Sequence, residues 1–381
     1  MIWHLLTGEF PPDCGGVGDY TSDLARALSD AGDTVHVWTL ARATDRGADI
    51  PGITLHELPD AFGTQSRAAL EQAWRATPGI VLLQYVPNAL GAGGANLPFC
   101  RWLRRMRQHG ADIRVMFHEP YFYFTLTRPW RNALAIVQRT MAATLLQAAG
   151  TIYMSTETWA PYLEAVGTLP RAATLPIPSS IPNSPQEDAV AQHRARISPV
   201  GTPIVGHFGT YGDHVTAELF ALLPAIVEQA PIARFAFMGE RSREFLDRVR
   251  ERHPAIASRA WASGRLPADQ VSEVLSACDL LIQPFPDGIT TRRTSAMAGL
   301  RNGVAIVSTL GRLTEPVWKE TGAVALAPVA DRTAFARTVA RLLDDPEARH
   351  LQAAQGVRIY ERHFSMPHTI AVLRGSAAKA A

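Results

Sequence analysis

The property that most constrains this chain is the rhythm of its hydrophobic residues. Short, almost wholly apolar runs at residues 2–6, 34–40, 53–58, 80–85, 113–117 and 151–154 alternate with amphipathic stretches at 20–31, 66–76, 98–109 and 132–149. Runs of that length and polarity read as strands covered on both faces, and the stretches between them carry helical spacing. Strand, helix and strand in succession make βαβ units, whose strands lie parallel. The rhythm stops at residues 175–185, where proline is too dense for a helix or a sheet interior. It restarts with runs at 203–208, 234–238, 280–284, 305–308 and 323–326, and with helical stretches at 215–228, 241–250, 267–277, 290–302, 331–344, 346–364 and 366–378. The predicted fold is α/β: two Rossmann-like, doubly wound parallel-sheet domains, 1–178 and 186–362, facing across a cleft, with 175–185 linking them. Ligands of such sheets sit outside the carboxyl ends of the strands, so the chemistry is expected in loops that follow strands.

Composition narrows the function classes. At 381 residues the chain is long enough for two domains, and 47% hydrophobic residues supply a core for each. A formal net charge of +2 gives no reason to expect a nucleic-acid partner. The three cysteines, Cys14, Cys100 and Cys278, are widely spaced and odd in number, the pattern of reduced thiols in a cytoplasmic protein rather than a disulfide framework. No signal peptide and no bilayer-length apolar run is visible, so a soluble protein is expected, at most peripheral to the inner face of a membrane. Lysine occurs only at 319 and 379. Neither position suits a P-loop or a pyridoxal phosphate Schiff base, so any phosphate must be held by arginine, hydroxyls and backbone amides.

Four loops fall where the fold puts ligands. The first, residues 8–20, follows the first strand with Gly15, Gly16 and Gly18 and opens a helix; its amides can receive an anion or sugar oxygens, or it is a plain tight turn. It is not the dinucleotide fingerprint, because two prolines intervene and the second strand ends without a ribose-binding acid. The second is Phe117-His118-Glu119-Pro120, a strand-end histidine able to donate to a hydroxyl or phosphate, or else a structural one. The third, Gly206 to Gly212, repeats the glycine-loop logic in the second half. The fourth runs from Pro284 to Gly299. Asp287-Gly288 forms a turn, Thr290 or Thr291 is expected to cap the next helix, and Arg292 and Arg293 fall in or near its first turn. Cations there oppose the helix dipole at about half a kcal/mol each, a cost a bound diphosphate would offset; the alternative is that both reach into solvent. The tryptophans Trp102, Trp130, Trp261 and Trp318 read as packing. Arg101, Arg104, Arg105 and Arg107 share a helical stretch, a solvated face or a basic surface for an anionic membrane. No metal-binding motif and no Gly-x-Ser-x-Gly elbow is present.

These loops, in this order, together with Gly303-Val-Ala-Ile-Val307 and the segment Tyr360-Glu-Arg-His-Phe-Ser365, resemble the family 4 group of retaining glycosyltransferases with the GT-B fold. The resemblance implies an acceptor side in the first domain, a donor side in the second and a C-terminal segment, 363–381, crossing back onto the first. It implies that Gly16 and Gly18 approach the transferred sugar or its phosphate, that His118 lies beside that sugar, and that the loop of Gly209, Thr210 and Tyr211 receives the diphosphate. Asp287 takes the place of the first glutamate of the family's glutamate-x7-glutamate motif, beside Gly288, Thr290 and Thr291; Ser295 takes the place of the second, which usually binds the ribose. Ser295 cannot accept two hydroxyls as a carboxylate does, and Asp287 is one methylene short. The family's arginine and lysine after the first strand of the second domain are replaced by His207 and residues 210–212, a charge that Arg292 and Arg293 would restore.

The resulting expectation is a metal-independent enzyme without a cofactor. It moves a sugar, with retention, from a nucleotide-diphospho-sugar donor to a saccharide, lipid-linked or small-molecule acceptor. His118, Asp287, Arg292 and Arg293 are its catalytic candidates. Alternatives on the same fold are a sugar-nucleotide epimerase-like enzyme and a degenerate, non-catalytic homologue.

Overall fold

The structure, a computed structural model, describes residues 1–11, 15–40, 51–125 and 129–375. It divides into two compact units: residues 1–176 with 366–381, and residues 177–365.

Unit 1 holds seven strands: β1 (Ile2–Leu6), β2 (Thr34–Leu40), β3 (Ile53–Leu58), β4 (Ile80–Tyr85), β5 (Asp112–Phe117), β6 (Thr151–Met154) and β7 (Arg171–Thr174). They form one parallel sheet ordered β3-β2-β1-β4-β5-β6-β7. Every residue of β4 is buried, because the strand lies mid-sheet with both faces covered. The order reverses between β1 and β4, so a crevice opens at their carboxyl ends. The helices Gly16–Asp30, Thr64–Ala76, Leu97–Gln108 and Trp130–Ala148 fill the crossovers. The short helix Met366–Leu373 also belongs here. Arg374 holds it down by donating to both carboxylate oxygens of Asp33, at 3.1 and 2.6 Å, while Arg114 Nη1 donates to the Leu373 carbonyl at 2.5 Å.

Unit 2 holds β8 (Ile204–Phe208), β9 (Arg234–Met238), β10 (Ala260–Ala262), β11 (Leu280–Gln283), β12 (Ile306–Leu310) and β13 (Ala325–Pro328), in a parallel sheet ordered β10-β9-β8-β11-β12-β13. Alternate residues feed two cores. Ala236, Met238, Leu281 and Ile306 join one, while Phe235, Phe237, Leu280, Ile282 and Val307 join the other. The reversal falls between β8 and β11, at the same place in the order as in unit 1.

The strands β7 and β10 have no counterpart among the runs expected from sequence. Both are short edge strands, Arg-Ala-Ala-Thr with two exposed and two half-buried residues and Ala-Trp-Ala with three half-buried ones, too brief to stand out as apolar runs. The proline-rich segment is built into unit 2: Ile181 joins a core, Ser179 N donates to Tyr360 Oη at 3.1 Å, and Arg301 Nη1 donates to the carbonyls of Ser179 and Ile181 at 3.2 and 3.1 Å. The helix expected over 346–364 ends at Ile359 and continues as a π-turn, Tyr360–Phe364. Among the described residues no helix is long and apolar enough to cross a membrane, and no group of three histidine, cysteine or carboxylate side chains is placed to hold a metal.

Candidate functional site

The crevice of unit 2 gathers most of the residues singled out in sequence. The end of β8 and the helix Thr294–Arg301 that follows the β11 loop are tied together by Gln283, the last residue of β11, whose side chain is fully buried. Its Nε2 donates to the Phe208 carbonyl at 3.0 Å, and its Oε1 accepts from Ser295 Oγ at 3.1 Å. Ser295 is thereby fixed over the ends of β8 and β11, and Gln283, which sequence reasoning passed over as a strand residue, organises the crevice.

The glycine loop after β8 differs from the expected anion cradle in two ways. Gly209 N is already engaged, donating to the Met238 carbonyl at 3.1 Å. Tyr211, expected to face a donor, turns inward: its φ is +56°, its ring packs against His207, Phe237 and Phe245, and its hydroxyl donates to the His207 carbonyl at 3.1 Å. The aromatic ring gains more from the core than from the crevice, which overrides the reading of Tyr211 as a ligand contact. Thr210 and Gly212 remain exposed on the rim. His207 is buried with Nδ1 unpartnered, and burial lowers its pKa to about 3, so it stays neutral at any working pH.

The loop after β11 turns at Gly288, whose φ of +94° suits glycine, and a Cβ there would lie 2.2 Å from Thr314 Oγ1. The half-exposed carboxylate of Asp287 pairs with Arg312 Nη2 at 3.2 Å; Arg312, on the loop after β12, is a third cation at this edge. The next helix begins later than expected, at Thr294, with Arg293 as its N-cap residue and no side-chain cap. Neither Thr290 nor Thr291 caps it. Thr291 Oγ1 donates to the buried carboxylate of Glu315 at 2.7 Å, a group also held by Trp318 Nε1 at 3.0 Å, and Thr290 Oγ1 is buried without a hydrogen-bond partner. The Thr291 hydroxyl thus serves as donor to a buried carboxylate instead of accepting from the helix amides as a cap would, and Glu315 carried no sequence signal.

Because the helix starts late, Arg292 and Arg293 fall just before it rather than within its first turn. The Arg293 guanidinium lies over the Phe285 ring, 4.5 Å from its centroid, and its Nε is buried without a hydrogen-bond partner among the described residues. Burial, and then the neighbouring Arg292, lower its pKa to about 10 against the opposing pull of Asp287. This cation is held in place, partly stripped of water and short of an anion.

In unit 1 the sequence candidates collect at the ends of β1, β4 and β5. His118 follows β5; its Nε2 donates to Gln84 Oε1 at 2.8 Å, and Tyr20 meets its ring edge-on at 5.3 Å between centroids. The helix-opening amides are not vacant: Glu9 Oε1 accepts from Val17 N at 3.1 Å and from Gly18 N at 3.2 Å. An internal carboxylate thus takes the place foreseen for a phosphate, which corrects the reading of Gly18 as a backbone contact to the donor phosphate. Gly16 has open space where a Cβ would lie, and Cys14 falls outside the described residues. Trp102 and Trp318 are core residues as expected, and Trp261 is half-buried.

Two parallel-sheet units, each with its strand order reversing at a crevice, are the architecture of a GT-B sugar-transfer enzyme. The family models agree: Glycosyl transferase 4-like domain matches residues 15–179, and Glycosyl transferases group 1 matches residues 202–345. The chain belongs to this glycosyltransferase family. Among solved structures it is similar to sucrose-phosphate synthase from Thermosynechococcus elongatus, at a TM-score of 0.74, 16% identity and coverage of 100% of this chain and 98% of that one. It is also similar to Anabaena HepE in complex with UDP, at 0.71 and 11%, covering 98% and 99%, and to WaaG, a glycosyltransferase involved in lipopolysaccharide biosynthesis, at 0.67 and 14%, covering 98% and 100%. At these identities the likeness is one of fold. No curated protein matches the chain.

Proposed function

We propose that this glycosyltransferase takes its sugar from a nucleotide-diphospho-sugar and passes it, with retention of configuration, to a hydroxyl acceptor bound by loops of unit 1. The observation that carries this reading is Arg293, a cation desolvated beside Arg292 at the switch point of unit 2, with a buried Nε that has no partner. A diphosphate supplies the missing acceptor, and the paired guanidinium groups offset the charge that grows on it as it leaves. That HepE is also known in complex with UDP-glucose supports a nucleotide-linked donor.

In this mechanism the acceptor oxygen bonds to the anomeric carbon on the face from which the diphosphate departs. The bond from that carbon to the phosphate oxygen breaks, and the acceptor's proton passes to the departing phosphate. No side chain forms a covalent intermediate and no metal or cofactor is required. Positioning and charge stabilisation supply the catalysis. Asp287, on the loop after β11, and Ser295, in the first turn of the helix that follows, bind donor hydroxyls, and His118 lies beside the transferred sugar. The enzyme works in the cytoplasm, at most at the surface of a membrane.

A thermal-shift screen of the purified chain against nucleotides and nucleotide sugars tests the donor, because a ligand selective for the folded state raises the melting temperature. Replacing Arg292 and Arg293 together with alanine abolishes that shift and severely impairs turnover; near-normal rates in the double variant would remove the proposal. Conversion of the donor with no sugar-bearing product on any acceptor would point instead to an epimerase-like enzyme.

A further inference from the structure

Arginine is distributed unevenly over the surface of unit 1. The helix Leu97–Gln108 carries Arg101, Arg104, Arg105 and Arg107 and no acidic residue. Arg101 lies three residues from Arg104 and four from Arg105, so like charges share one helix face and repel. Against them stands Arg67 of the helix Thr64–Ala76, fixed by three bonds: Nε to the Gly63 carbonyl at 2.9 Å, Nη1 to the Pro98 carbonyl at 3.2 Å and Nη2 to Thr64 Oγ1 at 3.0 Å. Arg104 is steadied by Gln147 Oε1 at 2.8 Å. Together Arg67, Arg101, Arg104 and Arg105, with Pro98, line an open depression of about 280 Å³.

Two properties separate this depression from an ordinary solvated face. No carboxylate lines it, and among the described residues Arg101 and Arg105 make no ion pair or side-chain hydrogen bond. Two of its four guanidinium groups, Arg67 and Arg104, are anchored to the protein, so only Arg101 and Arg105 lose side-chain freedom when an anion arrives. A polar depression in unit 2 makes the contrast. There Arg194 and Arg349 also converge, but both meet Asp279, at 2.9 and 3.8 Å, and backbone carbonyls, so their charge is already answered.

We propose that the four-arginine depression binds a phosphate group, carried either by an anionic lipid headgroup or by a soluble phosphate. Guanidinium forks match phosphate oxygens in pairs, and four around one depression suit a phosphate mono- or diester better than a lone carboxylate. The site is independent of the sugar-transfer reading, because it uses none of the residues assigned to that chemistry.

The test uses the full chain and Arg101→Gln/Arg105→Gln, exposed positions whose replacement leaves the anchored pair and the fold in place. Vesicles of phosphatidylcholine with about a third phosphatidylglycerol, vesicles of phosphatidylcholine alone, and inorganic phosphate serve as probes, in co-sedimentation and calorimetric titration. Binding to the anionic vesicles that weakens about thirtyfold in the variant and fades in high salt supports the site and names the headgroup as its source. Binding of inorganic phosphate, lost in the variant, with no preference between vesicles, supports the site and names a soluble phosphate. Absence of binding to every probe, or equal binding by both proteins, overturns the proposal. Sugar transfer by the variant stays at the native rate, so failure of the transferase reading and failure of this one are read from separate experiments.

Discussion

Arg293 sits over Phe285, its guanidinium carbon 4.5 Å from the ring centroid, with one buried donor unpaired. The ring face offers some compensation to a cation, but not a hydrogen bond for Nε. Removing the charge while keeping the apolar stem should therefore cost little without ligand. We expect Arg293→Met to unfold within about 1 kcal/mol of the native chain, since replacing an uncompensated buried charge by an apolar group of similar size is often neutral or stabilising. The same variant should lose the thermal shift produced by a nucleotide diphosphate. Denaturant titration and thermal shift check the two halves. A large loss of stability with ligand response intact would make Arg293 a structural residue.

Gln283 gives a second prediction, because one side chain joins the end of β8 to the first turn of the helix Thr294–Arg301. Gln283→Leu leaves the Phe208 carbonyl and Ser295 Oγ without their partner in a half-buried place, a cost of about 1 kcal/mol for each bond lost. Ser295→Ala removes only one bond and should cost about 1 kcal/mol. If the two variants proved equally stable in urea, the bridge would carry no weight.

Much of this architecture is legible in the sequence, and the exceptions share a cause. Strands such as β4 and β9 announce themselves because burial on both faces demands unbroken apolar runs. The edge strands β7 and β10 face no such demand and stay silent. The loops after β1, β5, β8 and β11 are visible because glycine, histidine and paired arginine are unusual after a strand. What those loops do in detail is not visible. Tyr211 faces inward, Thr291 serves Glu315, and Glu9 fills the amides at Val17 and Gly18, each through a partner remote in sequence or hidden in a loop. Such pairings depend on tertiary placement, which local pattern does not encode.

Glu9 therefore makes a prediction of its own. Its carboxylate receives two amides at the start of a 15-residue helix, where negative charge meets the positive end of the helix dipole. Glu9→Ala should lower stability by about 1–2 kcal/mol, the usual cost of losing a helix cap. Glu9→Gln keeps an oxygen acceptor and should lose less than half as much. Chemical denaturation of the three proteins decides the matter; an alanine variant as stable as the native chain would show that solvent satisfies those amides equally well.

The last prediction concerns pH and rests on three histidines on neighbouring strands, His4 in register with His36 and His56 in register with Trp38. His4 stacks on His36, with ring centroids 4.9 Å apart, and His36 Nδ1 meets His56 Nε2 at 3.1 Å. His56 in turn stacks on Trp38 at 3.8 Å. The hydrogen bonds set the protons of His4: Nε2 donates to the Thr77 carbonyl at 2.9 Å, so Nδ1 is the acceptor for Trp38 Nε1 at 3.3 Å. A proton added at that nitrogen breaks the Trp38 bond, and protonating both His36 and His56 sets two N–H groups against each other. Burial lowers all three pKa values, with the neighbouring histidines adding to the effect at His56, which falls to about 4. The unfolded chain, titrating near 6.5, then binds more protons than the folded one between pH 6.5 and 4, so this cluster's contribution is complete above pH 6.5 and is lost as pH falls toward 4. Melting temperatures measured from pH 7.5 to 4.5 should decline more steeply for the native chain than for His56→Gln, which keeps an amide in place of the ring but cannot titrate. Parallel curves for the two proteins would mean that the triad takes up no protons on unfolding, and the acid sensitivity of this unit would have to lie with its carboxylates.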